Sequence, residues 1–258
     1  MNKVLLPIQA LNVSKFAFGT AQLYRKGSLK RQIHLLHSAR DSGFTHFDTA
    51  PIYADGMSEE ALGRAFYDSE DFTITTKIGL YPKFGVNTRR SSFLLRRGLS
   101  RLVPVLSGPR EDYGIKNIQR NFSLSLSRLR RGHIDFLMLH EPNFSDPQIF
   151  WVVDWMRSKL REGSARFIGL AGELHNVAPA YKLLASPDLT IQTRANSNDV
   201  FQNQLGRLPD FTYGHWARLG RTSSADQSAR SIFQEVSGSV IVFTTSDTRL
   251  REYCLLDL

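Results

Sequence analysis

Four residues stand out for the chemistry their types allow: Asp48, Tyr53, Lys77 and His140. Asp48, Lys77 and His140 each close an apolar, strand-like run, and Tyr53 lies five residues past Asp48 on the following loop. A carboxylate, a phenol, an ammonium and an imidazole suit proton transfer at a carbonyl or alcohol oxygen. A tyrosine has an unperturbed pKa near ~10, too high for easy exchange at neutral pH. A nearby ammonium favours the phenolate and lowers that value. Lys77 is expected to act in this way if Asp48 holds it in a buried ion pair. A neutral imidazole at His140 can donate a hydrogen bond to a substrate oxygen and orient it. Carbonyl reduction also needs a hydride, which none of these side chains can supply, so this chemistry calls for a redox cofactor.

The elements that must position these groups alternate along the chain. Eight strand-like runs cover Phe16–Thr20, Thr45–Asp48, Phe72–Lys77, Ile134–His140, Arg166–Leu170, Leu189–Thr193, Asp210–Tyr213 and Ser239–Thr244. Several are continuously apolar, as expected for strands covered on both faces of a parallel sheet. Helical patterns fall between them at Ser28–Ser42, Ser58–Phe66, Ile115–Leu129, Pro147–Arg161, Asn176–Leu184 and Ser224–Val236. Over Asp199–Leu205 the pattern is faint, and a last short helix starts at Asp247. Eight βα units imply a closed (β/α)8 TIM barrel of the α/β class, spanning residues 1–258 as one domain. Its functional residues are expected at the C-terminal ends of the strands. Tyr81–Tyr113 is a long insert after the third strand, with a basic amphipathic helix expected around Phe93–Val105.

The composition is that of a globular protein, with 41% hydrophobic and 22% charged residues in 258. The single cysteine, Cys254, cannot form an internal disulfide and fits a reducing compartment. Met1–Ala10 lacks the apolar core and small-residue cleavage site of a signal peptide, and no run approaches the ~18 apolar residues of a membrane span. A cytoplasmic location is expected, with no membrane partner. The net charge of +9 raises anionic partners, but no zinc-finger spacing, nucleic-acid motif or aromatic stacking platform accompanies it. The arginines of Arg120–Arg131 read as the solvated face of a helix.

Gly43-Phe44-Thr45-His46-Phe47-Asp48-Thr49-Ala50-Pro51-Ile52-Tyr53, followed by Ser58-Glu59-Glu60-Ala61-Leu62-Gly63, resembles the first signature of the aldo-keto reductases. Thr75-Thr76-Lys77-Ile78 is similar to the strand bearing that family's lysine. Ser125–Leu129 with His133–His140 is similar to the stretch bearing its histidine. Ile168-Gly169-Leu170 and Val240–Glu252 also match the pattern. The resemblance implies a hydride transfer between NADPH, with NADH as the alternative, and a small carbonyl or alcohol substrate. Tyr53 would be the general acid, Asp48 and Lys77 would tune it, and His140 would orient the substrate. It also implies that Gly19 and Thr20 lie against the nicotinamide ribose, that Gln192 binds the carboxamide and that Tyr213 stacks on the ring. Thr244, Thr245 and Ser246 precede the last helix, where backbone N–H groups and hydroxyls suit a phosphate. By the same likeness Arg249 meets the 2′-phosphate or adenine, and Glu252 the adenine.

Several positions depart from the family pattern. Ala171-Gly172 stands where a Ser-Asn pair usually binds the carboxamide, leaving Glu173 or backbone to replace it. Phe243 replaces a basic residue, Tyr253 replaces an adenine-contacting Asn, and the chain stops at Leu258 before the tail that commonly walls the substrate pocket. Weaker cofactor binding and an open mouth are expected. These departures keep a second reading in view, a cofactor-binding regulatory or interaction subunit on the same barrel with little turnover.

Overall fold

Each of the eight strand-like runs becomes one strand of a closed parallel barrel. The computed structural model describes residues 1–67, 69, 71–83, 85, 90–99, 108–215 and 236–255. The barrel strands are β3 (Phe16–Gly19), β4 (His46–Asp48), β5 (Thr73–Ile78), β8 (Ile134–His140), β9 (Ala165–Gly172), β10 (Thr190–Arg194), β11 (Phe211–Tyr213) and β12 (Ser239–Val242). They pair in that order, and β12 closes onto β3. Helices α1 (Leu29–Asp41), α2 (Met57–Ala65), α4 (Ile115–Leu129), α5 (Gln148–Arg161), α6 (Leu174–Leu184), α7 (Asn198–Leu205) and α8 (Asp247–Leu255) follow individual strands. The helix expected over residues 224–236 lies outside the described residues, apart from Val236.

Side chains alternate along a strand, and this alternation sorts the barrel into an inside and an outside. Outward residues such as Phe47, Ile74, Leu137 and Leu139 join the large core beneath the helices. Inward residues stack in layers. Leu6 and Val13 form the floor with Phe136, Met138 and Phe211. They come from a hairpin absent from the sequence reading, β1 (Lys3–Leu6) paired antiparallel with β2 (Leu11–Ser14). His46 forms the middle layer, its ring stacked 4.5 Å from Phe211 and edge-on to Phe136 at 5.3 Å. Its Nδ1 and Nε2 pair with the hydroxyls of Thr73 and Thr75 at 2.7 and 3.1 Å. Two residues further along β4, β5 and β11 the same inward face carries Asp48, Lys77 and Tyr213 to the top.

Two other local results differ from expectation. The faint helical pattern at residue 199 is a full helix from Asn198, because Ser197 caps it by accepting the Val200 N–H. The insert after β5 begins as a second hairpin, β6 (Leu80–Pro82) with β7 (Pro109–Glu111). Its helix, α3, runs Arg90–Leu99, starting earlier than expected; Val105 lies outside the described residues.

Candidate active site

The C-terminal end of the barrel holds a cavity of about 540 Å³ whose lining includes Gly19, Asp48, Tyr53, Lys77, His140, Gln192 and Tyr213. Three of the four chemistry-bearing residues arrive on strand ends and Tyr53 on a loop. That loop is rigid. Tyr53 opens a 3₁₀ turn, Tyr53–Gly56, in which Ala54 and Asp55 are both left-handed, with φ of 50° and 55°. Non-glycine residues keep such angles only where the surroundings enforce them.

Lys77 organises the group. Its Nζ donates to Asp48 Oδ1 at 2.6 Å, to the Thr49 carbonyl at 3.0 Å and to the Tyr53 hydroxyl at 3.2 Å. An ammonium has three protons, so these acceptors satisfy it completely although only 1% of the residue is exposed. Burial pulls the Lys77 pKa down, and the charge and hydrogen bond of Asp48 oppose that. Because the phenolic oxygen accepts from Lys77, the Tyr53 proton must point elsewhere. The His140 ring stands perpendicular to that of Tyr53, with centroids 6.1 Å apart. His140 Nδ1 is buried without a hydrogen-bond partner. Burial, and then the Lys77 charge, hold the His140 pKa well below its usual value, so the imidazole is neutral.

One expectation is corrected. Lys77 was expected to draw the Tyr53 pKa down; instead it stands well above the usual value, through burial first, then the charges of Asp48 and Glu141. Tyr53 is therefore a protonated acid.

The residues expected around a cofactor divide into two sets. Gly19, Gln192 and Tyr213 line the cavity, whereas Thr20 sits behind it and gives its hydroxyl to the Asp48 carbonyl. Gln192 Oε1 is buried without a partner, an arrangement that is costly unless a ligand donor meets it. Thr244, Thr245 and Ser246 follow β12, but part of their hydrogen bonding is internal. Thr244 Oγ1 accepts from Ser246 N, and Ser246 Oγ accepts from Arg249 N. Arg249 and Glu252 are exposed on α8. Lys26 donates to the Thr245 carbonyl at 2.7 Å and pairs with Asp247, bringing an ammonium to a turn where Phe243 offers none. Nothing in the linear pattern announced Lys26, which is 219 residues away from Thr245. Glu141 and Arg194 at the rim were missed for the same reason.

A model of the aldo/keto reductase family matches residues 15–204. The chain belongs to the aldo/keto reductase family. Its curated relatives include a putative voltage-gated potassium channel subunit beta from Schizosaccharomyces pombe, 29% identical over 81% of this chain and 58% of that protein. D-threo-aldose 1-dehydrogenase from Pseudomonas sp. is 27% identical over 70% of this chain and 61% of that enzyme. The matches thus span less than two thirds of either relative. Among solved structures, the holo form of an aldo-keto reductase from Bacillus halodurans superposes with a TM-score of 0.77 at 18% identity, covering 100% of this chain and 91% of that one. An aldo/keto reductase from Klebsiella pneumoniae in complex with NADP and acetate gives 0.72 at 18%, with the same coverage. These two establish the shared aldo-keto reductase fold. Among the described residues no helix is long and apolar enough to cross a membrane, and no cluster of His, Cys, Asp or Glu is placed to hold a metal ion.

Proposed function

We propose that this aldo/keto reductase family member is an oxidoreductase that reduces a small carbonyl, or oxidises the corresponding alcohol, with NADPH. The observation that carries the reading is the Lys77 ammonium donating to a Tyr53 hydroxyl whose own proton must point away from it, beside a neutral His140, in one cavity. When bound, the nicotinamide supplies or accepts the hydride. Tyr53 gives its proton to the carbonyl oxygen as negative charge develops there. Lys77 then holds the phenolate by the hydrogen bond already in place, and Asp48 keeps the ammonium charged. Neutral His140 orients the oxygen. The orphaned Gln192 Oε1 fits a carboxamide N–H, and Tyr213 offers a ring face to a planar heterocycle. Thr20 contributes from behind by fixing the Asp48 backbone. Lys26 and Arg249 would meet the phosphates beside Thr244–Ser246, and Glu252 the adenine. The single thiol, Cys254, suits a reducing cytoplasm.

The test is a fluorescence titration with NADPH and NADH, followed by a panel of aldehydes, ketones and sugars. Turnover that vanishes in Tyr53→Phe supports the reading. Tight cofactor binding with no turnover across the panel would instead favour a regulatory or interaction subunit.

A further inference from the structure

The rim of the cavity above β8, β9, β10 and β11 is tied by one chain of polar contacts that the chemistry above does not use. It starts at Glu141, directly after His140. Glu141 is left-handed, with φ of 48°, a conformation that a non-glycine residue holds only when its surroundings over-determine it. Here they do. Its N–H donates to the Ala171 carbonyl at 2.7 Å. Its own carbonyl accepts from the Tyr113 hydroxyl at 3.0 Å. Its Oε2 accepts from the Glu173 N–H at 3.0 Å and from Asn176 Nδ2 at 2.9 Å. Gly172 makes room for this carboxylate, since a Cβ there would stand 2.4 Å from Oε2.

The second half of the chain leads back to the cavity. With its backbone held by Glu141, Glu173 turns its carboxylate to Arg194, whose Nε donates to both oxygens at 2.8 and 3.0 Å. The Tyr213 hydroxyl makes a long contact, 3.5 Å, to the same carboxylate. The Arg194 guanidinium lies over the Tyr213 ring, 5.6 Å from its centroid. Arg194 thus covers Tyr213 while Glu173 fixes its edge.

We infer that Glu141 is a positioning residue that sets the Tyr213 ring through Glu173 and Arg194, and sets His140 through its own pinned backbone. The inference rests on the cofactor reading above. It explains why a strained acidic residue sits next to the substrate-orienting histidine. It also gives Gly172 a task, since the carboxylate needs the space that a side chain at that position would fill.

The experiment is NADPH titration and steady-state kinetics on the full chain and its variants. Glu141→Gln keeps an oxygen acceptor and is expected to bind NADPH within about twofold of wild type. Glu141→Ala, Glu173→Ala and Arg194→Ala are each expected to raise the NADPH Kd about tenfold, the scale of a lost charged hydrogen bond. The double variant Glu141→Ala/Glu173→Ala should be no worse than either single one, because the two act in series. Arg194→Ala should raise the cofactor KM with kcat unchanged, whereas Glu141→Ala should also lower kcat through His140. Arg194 is about half exposed, so its variant keeps the test alive if Glu141→Ala fails to fold. The inference is overturned if folded Glu141→Ala and Arg194→Ala bind NADPH like wild type, or if the Glu141 and Glu173 effects multiply. Wild type that fails to bind NADPH at all would instead overturn the cofactor reading.

Discussion

The Lys77 ammonium lies 3.2 Å from the Tyr53 oxygen and 4.9 Å from the centre of the same ring, so the cation meets the phenol at its acidic end. This contact stabilises a phenolate once the proton has left, yet in the resting site burial and Asp48 keep the proton on. Tyr53→Phe keeps the ring and loses only the hydroxyl. It is expected to lower kcat by ~10²–10⁴-fold, the usual contribution of a positioned acid. The NADPH Kd should stay within a few-fold. Equal turnover by wild type and variant would remove Tyr53 from the chemistry.

The Asp48–Lys77 pair gives a stability prediction of its own. Both side chains are nearly inaccessible, at 4% and 1% exposed. Removing one partner of such a pair leaves an uncompensated buried charge, which typically costs ~3–5 kcal/mol. Asp48→Ala should therefore unfold at markedly lower urea concentration. Adding Lys77→Met removes the orphaned charge and should recover most of the loss, while activity stays absent. A double variant as unstable as Asp48→Ala would show that the charge was not the cause.

Acid should destabilise the barrel earlier than its carboxylates alone would dictate. His46 is fully buried, and burial with the Lys77 charge lowers its pKa to about 3. His140 is shifted the same way. Below the ordinary histidine pKa near ~6.5 the unfolded chain takes up protons at these positions and the folded chain does not, so stability falls as pH falls. Each histidine contributes a slope approaching ~1.4 kcal/mol per pH unit, down to its own folded pKa. Urea unfolding at pH 7, 6 and 5 measures this. A flat free energy over that range would contradict the buried neutral state.

All eight barrel strands were legible in the sequence, several as the continuous apolar runs that strands covered on both faces leave, the others as short runs alternating with helical patterns. Asp48, Lys77 and His140 were legible because strand-end positions in a barrel converge, and Tyr53 through its place five residues past Asp48 in a stretch that resembles the family signature. The floor hairpin was not: Lys3–Leu6 and Leu11–Ser14 are short, and Leu6 and Val13 are their only fully buried hydrophobic residues. The direction of the Tyr53 shift could not be read either. It depends first on how deeply the phenol is buried, and then on how near Asp48 and Glu141 come, neither of which residue types reveal. Contacts between strand-end loops, such as Glu173 with Arg194 and Lys26 with Thr245, depend on the same closure and leave no local signal.

Cofactor discrimination is expected to be modest. Arg249 is exposed on α8, and Lys26 is already engaged by Asp247 and the Thr245 carbonyl. An exposed charge pair is worth at most about 1 kcal/mol, so NADPH should bind roughly fivefold more tightly than NADH. Arg249→Ala should bring the two dissociation constants together. Parallel titrations decide the matter, and equal constants in the wild type would remove Arg249 from phosphate recognition.

The insert offers the last prediction. Phe93 of α3 packs edge-on against Tyr24, with centroids 5.1 Å apart, and Tyr24 sits in the loop whose Ala21 and Gln22 line the cavity. The described helix of the insert, α3, therefore packs beside the rim next to β3. Leu94, Leu95 and Leu99 of α3 are exposed, and the segment between Pro82 and Pro109 is rich in arginine. Excluding water strengthens every charge interaction in the site. Removing the insert is expected to raise KM for all carbonyls, and more for anionic ones. The hairpin gives a clean way to remove it. Pro82 pairs with Pro109, so deleting residues 86–107 leaves a four-residue turn, Lys83-Phe84-Gly85-Gly108, joining β6 to β7. Kinetics of this shortened chain on matched neutral and anionic aldehydes, beside Phe93→Ala, provide the comparison. An unchanged KM for both classes would make the insert a bystander, whereas an equal rise for both would leave it as apolar cover without charge selection.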